Sequence, residues 1–151
     1  MKLYLKNHTE RYAVEQLLMQ LFPEQAHEYT QTPFSDEDGA VSALFRGKTW
    51  LTATARITRG GKTATAARRL RVQDADVRRT RRILQQSFYQ AAIQLLPAAP
   101  AWGALAGVRA SKLSTACLMA GGTERAADRQ LRDEFFVSAP RRRLCIDASR
   151  H

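Results

Sequence analysis

The spacing of apolar positions changes along the chain, and each change predicts an element. Leu3 and Leu5 alternate with polar neighbours over residues 2–6, which reads as a short strand. Val14, Leu17, Leu18, Leu21 and Phe22 then recur at helical spacing, with Thr9 as the expected cap and Pro23 as the stop. Residues 24–39 are polar and acidic and read as a loop. Strand signals return at 40–45, break at Gly47, and resume over 50–58. Gly60-Gly61 is expected to be a two-residue hairpin turn, because both positions can take φ > 0 at little cost, so residues 62–72 form the returning strand. Asp74 is the expected cap of a long helix ending at Pro97, with Val77, Leu84, Phe88, Ala91 and Leu95 inward. Arg78, Arg79, Arg82, Gln86 and Gln90 fall on its opposite face.

Beyond Pro97 the pattern is helical. One helix spans 111–120 and stops at Gly121-Gly122, a second starts after Thr123, and Ser138 with Pro140 opens a third. The expected class is α+β. A β-α-β-β-β-α two-layer unit, with a four-stranded, mainly antiparallel sheet and two helices on one face, occupies 1–97. A small three-helix part occupies 98–151.

Length and composition narrow the class. A chain of 151 residues with 44% hydrophobic and 25% charged residues can bury a core, which excludes wholesale disorder, a collagen repeat and a disulfide scaffold. The longest uncharged stretch, Ile83 to Val108, carries four glutamines and is broken by Pro97 and Pro100, so it reads as an amphipathic helix and a loop. With no apolar leader region at Met1–Leu5, the expectation is a soluble cytoplasmic protein without a membrane partner.

Charge adds a candidate surface. The net charge is +10, but residues 46–112 alone hold 14 basic and 2 acidic groups, mostly arginine. Such a block favours anionic partners. Arg68 and Arg69, with Arg78, Arg79 and Arg82, are the candidate anion-binding residues, because cations crowded at a helix N-terminus oppose the macrodipole unless an anion is near. The order α-β-β-β-α also matches double-stranded-RNA-binding domains, so a basic RNA-binding module is the alternative reading.

Candidate chemistry is sparse. His8, His27 and His151 are expected to be solvated, Asp36, Glu37 and Asp38 to form a solvated acidic loop, and Cys117 and Cys145 to be buried small hydrophobes. Two cysteines without a CxxC pair do not make a structural zinc site.

The most specific stretch is Trp102-Gly103-Ala104-Leu105-Ala106-Gly107-Val108-Arg109-Ala110-Ser111-Lys112-Leu113. It resembles the W-G-x-L-x-G-x-R-P-T-K-L block that oxygen-independent coproporphyrinogen III oxidase-like radical-SAM proteins carry ahead of their catalytic barrel. Phe136-Val137-Ser138 is similar to that family's Tyr-hydrophobe-Ser step, and the long helix ending at Leu95-Leu96 and the Leu3-Tyr4-Leu5 strand also have counterparts there. Ala110 replaces the family's proline and Ser111 its threonine, although Ser111 can still cap the helix. The resemblance implies a non-catalytic N-terminal region of a longer oxidoreductase, with no catalytic, cofactor or metal residue in this chain. Trp102, Gly103, Gly107, Arg109 and Lys112 would serve structure or interdomain contact. The parent would oxidatively decarboxylate coproporphyrinogen III in haem biosynthesis, using a 4Fe–4S cluster and S-adenosylmethionine held by a CxxxCxxC motif in its barrel. The expected partners are that barrel and, for the arginine block, the polycarboxylate porphyrinogen. A stand-alone interaction protein that has lost its enzyme half is a third reading.

Overall fold

A computed structural model describes residues 1–34, 37–101, 103, 104 and 110–149. The chain divides into two compact units, Met1–Ala98 and Ala99–His151.

The first unit is built on strands β1 (Lys2–Lys6), β2 (Glu28–Thr30), β3 (Gly39–Arg46), β4 (Trp50–Arg59) and β5 (Lys62–Arg71). Helix α1 (Arg11–Leu21) follows β1, and α2 (Val77–Ile93) follows β5. The α+β class stands, but the sheet has five strands in the order β2-β1-β3-β4-β5, not four. It is also mixed: β1 pairs in parallel with both β2 and β3, while β3-β4 and β4-β5 are antiparallel. The added strand, Glu28-Tyr29-Thr30, lies within the expected acidic loop. Three residues are too few to show a period of two, and their pairing with β1 is made across the α1 crossover.

Strand alternation sorts the sheet into two faces. Leu3, Leu5, Ala40, Leu51, Ala53, Ala55, Ile57 and Ala64 are buried on one of them. Helix α2 lies across β3, β4 and β5 on that side and packs on α1, whose Val14, Leu17 and Leu18 are wholly buried. The Gly60-Gly61 turn forms with φ of 57° and 80° at its two glycines, and Gly60 N–H donates to Asp38 Oδ1 at 3.0 Å.

Helix starts differ from expectation in detail. Asp76, not Asp74, caps α2, accepting from Arg79 N–H at 2.7 Å, while Asp74 closes a preceding 3-10 turn. No side chain caps α1 at Glu10. Val77 is 60% exposed in the first turn of α2, whereas Gln86, expected on the outer face, is buried at 5%. Gln86 Oε1 accepts from Arg68 Nε at 3.2 Å, so the polar pair enters the layer between sheet and helix together.

The second unit holds α3 (Ala110–Met119), α4 (Glu124–Asp133) and α5 (Ala139–Ser149). Gly121, at φ 85°, ends α3: its N–H reaches Leu118 O, and Gly122 N–H reaches Cys117 O. Thr123 caps α4 through Ala126 N–H at 3.1 Å. Leu131, Phe135, Val137 and Cys145 form the buried cluster. Arg142 joins α5 to α4 and its C-terminal turn, through Asp128 at 2.8 Å and the Val137 carbonyl at 2.8 Å.

Candidate functional site

The family-like block is partly visible in the second unit. Gly103 has φ 61°, and its Cα faces the backbone of Phe135 and Phe136, with no room for a Cβ. Ala104 N–H donates to Phe135 O at 2.6 Å, and Ser138 N–H to Ala101 O at 2.8 Å. Phe136 itself takes φ 58°, an uncommon value for a non-glycine residue. The segment around Gly103 and the Phe136-Val137-Ser138 step are therefore laced together by backbone hydrogen bonds. Lys112 lies in α3 by its backbone. Trp102, Gly107 and Arg109 lie outside the described residues.

The candidate anion-binding arginines do not gather into one cluster. Alternation along β5 sends Arg68 to the helix side, where it meets Gln86, and Arg69 to the open side. Arg79 turns back on its own helix start, donating to the Asp74 carbonyl at 3.1 Å and standing 3.8 Å from the Asp76 carboxylate. That partly answers the macrodipole problem without an external anion. Arg78 is exposed, and Arg82 is half-buried. Arg81 bonds Glu10 at 2.6 Å, tying α2 to the start of α1.

A feature the linear pattern did not single out lies on the open sheet face. Arg69 sits over the Trp50 ring at 4.1 Å and Arg71 at 5.5 Å, while Lys6 lies 5.6 Å from the Phe45 ring on the same side. A signal for the first group existed. Counting outward from the Gly60-Gly61 turn pairs Trp50 with Arg71 and places Arg69 diagonally beside it.

The titratable candidates are engaged locally. His8 is half-buried rather than fully solvated: its Nε2 is 3.0 Å from Ser42 Oγ, and its Nδ1 accepts from Glu10 N–H at 3.1 Å. Burial pushes its pKa below the usual histidine value, opposed by the Ser42 contact and the Glu10 charge. His27 Nε2 donates to the Phe22 carbonyl at 3.0 Å. His151 and Asp36 lie outside the described residues. Glu37 pairs with Lys2 at 2.6 Å and raises the lysine pKa, and Asp38 accepts from the hairpin turn. Cys145 is buried, which pushes its thiol pKa up, whereas Cys117 is half-buried. Among the described residues, no three His, Cys, Asp or Glu side chains converge as metal ligands. None of the described helices is long and apolar enough to cross a membrane. Among the described residues, one open depression of about 400 Å³ is lined by Glu124, Arg125, Asp128, Arg143, Ile146 and Asp147.

No protein-family model matches the chain, and no curated protein matches it. Among solved structures, a minor lipoprotein from Acinetobacter baumannii is similar at 19% identity, over 62% of this chain and 87% of that one, with a TM-score of 0.28. That score is too low for the likeness to carry an argument about fold or function.

Proposed function

We propose that the chain is the non-catalytic N-terminal region of an oxygen-independent coproporphyrinogen III oxidase-like radical-SAM protein. The carrying observation is the lacing of Gly103-Ala104 to Phe135-Phe136, because it supplies a physical reason for the two sequence blocks to occur together. Glycine at 103 is needed for close backbone approach, and Phe135 and Phe136, where the Phe136-Val137-Ser138 step begins, supply the opposing backbone. In this reading, Gly103 is a structural residue rather than a ligand contact.

The cluster chemistry of such a protein would reside elsewhere. A radical-SAM 4Fe–4S cluster takes three thiolates from a CxxxCxxC motif; this chain has two cysteines, and Cys145 packs among Leu131, Phe135 and Val137. The residues present do not fit the group, and no reaction step passes through them. The exposed arginines at the start of α2, Arg78 and Arg79, would face the acidic side of the barrel domain or a polycarboxylate porphyrinogen.

Reading the gene downstream of the His151 codon tests the assignment. A CxxxCxxC motif within a few tens of codons, on a chain that binds S-adenosylmethionine and decarboxylates coproporphyrinogen, is the expected result. A stop codon there, or a downstream domain without that motif, overturns it. Titrating the 151-residue chain with coproporphyrin at low and high salt tests the basic surface separately, and binding that ignores salt overturns that role.

A further inference from the structure

We infer that the open face of the β4–β5 hairpin is a binding surface for single-stranded nucleic acid. The inference stands independently of the parent assignment, because it rests on the first unit alone.

Leu51, Ala53, Ala55 and Ile57 point into the core, so Trp50, Thr52, Thr54 and Arg56 point the other way. On β5 the same side carries Arg69 and Arg71. No carboxylate occupies any open-facing position of either strand. Arg56, Arg69 and Arg71 are all exposed, so the face presents positive charge to solvent without an acidic neighbour on its own strands. This is charge complementarity to a phosphate backbone.

The shape and the aromatic group narrow the partner. A ladder of side chains on a sheet is not a cleft, and small ligands favour concave sites. A polymer can lie along it. Arg69 and Arg71 stand two residues apart on one strand, roughly 7 Å, so each can meet a separate phosphate. Arg69 stands over the Trp50 ring, with its guanidinium 4.1 Å from the ring centroid. Indole and guanidinium planes both stack on nucleobases, which are free to splay only in single strands. An acidic protein face would use the arginines but would gain little from that stacking. The threonine hydroxyls at 52 and 54 add donors beside the backbone path.

The test uses the 151-residue chain and a labelled twelve-nucleotide RNA followed by fluorescence anisotropy. Duplex RNA of the same length, heparin and poly-glutamate serve as competitors. The expected result is preference for the single strand, with heparin and poly-glutamate displacing it only weakly. Trp50→Ala should weaken binding about 5- to 100-fold, while Trp50→Phe retains most of it. The double substitution Arg69→Gln/Arg71→Gln should lower the slope of log affinity against log salt by about 1.4, the share of two phosphates. Because both arginines are solvent-exposed, this variant keeps the test decisive even if Trp50→Ala fails to fold. Equal competition by heparin or poly-glutamate, tighter binding of the duplex, or wild-type affinity and salt slope in the arginine variant would each overturn the inference.

Discussion

Replacing Gly103 with alanine probes the backbone lacing of the second unit directly. A Cβ at this position would fall 2.0 Å from the Phe135 carbonyl oxygen and 2.5 Å from both carbonyl atoms of Phe136. These are backbone atoms, so no side-chain rotation relieves the clash. The left-handed backbone at φ 61° costs alanine about 1 kcal/mol by itself. Moving the Phe135–Phe136 turn away also breaks the Ala104 N–H to Phe135 hydrogen bond, worth about 1 kcal/mol. Displacing the packed turn adds a further cost of about 1 kcal/mol. The expected loss is therefore about 3 kcal/mol in the stability of this unit. Gly121→Ala is the internal comparison. Its φ is 85°, yet nothing lies within 4 Å of the added Cβ, so only the conformational cost of about 1 kcal/mol applies. Urea unfolding followed by circular dichroism measures both losses, and hydrogen exchange at the Ala104 and Ser138 amides locates the first. If the two substitutions cost the same, or if Gly103→Ala leaves the Ala104 amide as protected as before, the close approach at Gly103 does not hold the unit together.

Other perturbations separate burial from charge. Leu131 is 1% exposed within the buried cluster of the second unit, so Leu131→Ala should lower that unit's stability by about 2–5 kcal/mol in urea titration; a loss under about 1 kcal/mol would mean the cluster is not its core. His8 has its pKa lowered in the fold, so folding favours the neutral ring: its contribution is fully present above the unfolded value near 6.5 and is lost as pH falls from there toward the lowered folded value. The urea midpoint should thus fall between about pH 7 and pH 5 more steeply in the native chain than in His8→Gln, and parallel pH profiles would refute the burial of His8. Thiol labelling with a neutral maleimide should modify Cys117 first and reach Cys145 only on unfolding, since Cys145 is 2% exposed and its thiol pKa is raised. Equal rates at both sites would contradict that packing.

The sequence by itself determined the elements whose signals are local. The apolar spacing from Val14 to Leu21, the Gly60-Gly61 turn and the Thr123 cap each act through neighbours within a few residues, and each appears in the structure. Gly121 belongs with them, since a left-handed residue after α3 is a local requirement. The α+β class followed, because the change from strand to helical period is legible in one dimension.

Tertiary structure decided whatever depends on partners far along the chain. The edge strand Glu28–Thr30 exists through pairing with β1, and three residues cannot announce it. Gln86 looked like an outer-face residue by helical position, yet Arg68 reaches it from β5 and satisfies it within the layer. His8 became a half-buried ring because Ser42, 34 positions away, supplies a partner. Arg68 and Arg69 are neighbours in sequence and opposites in space, because a strand turns successive side chains to opposite faces. The same alternation, counted from one glycine turn, brings Trp50 to Arg69 and Arg71 and creates a surface that neither strand carries alone.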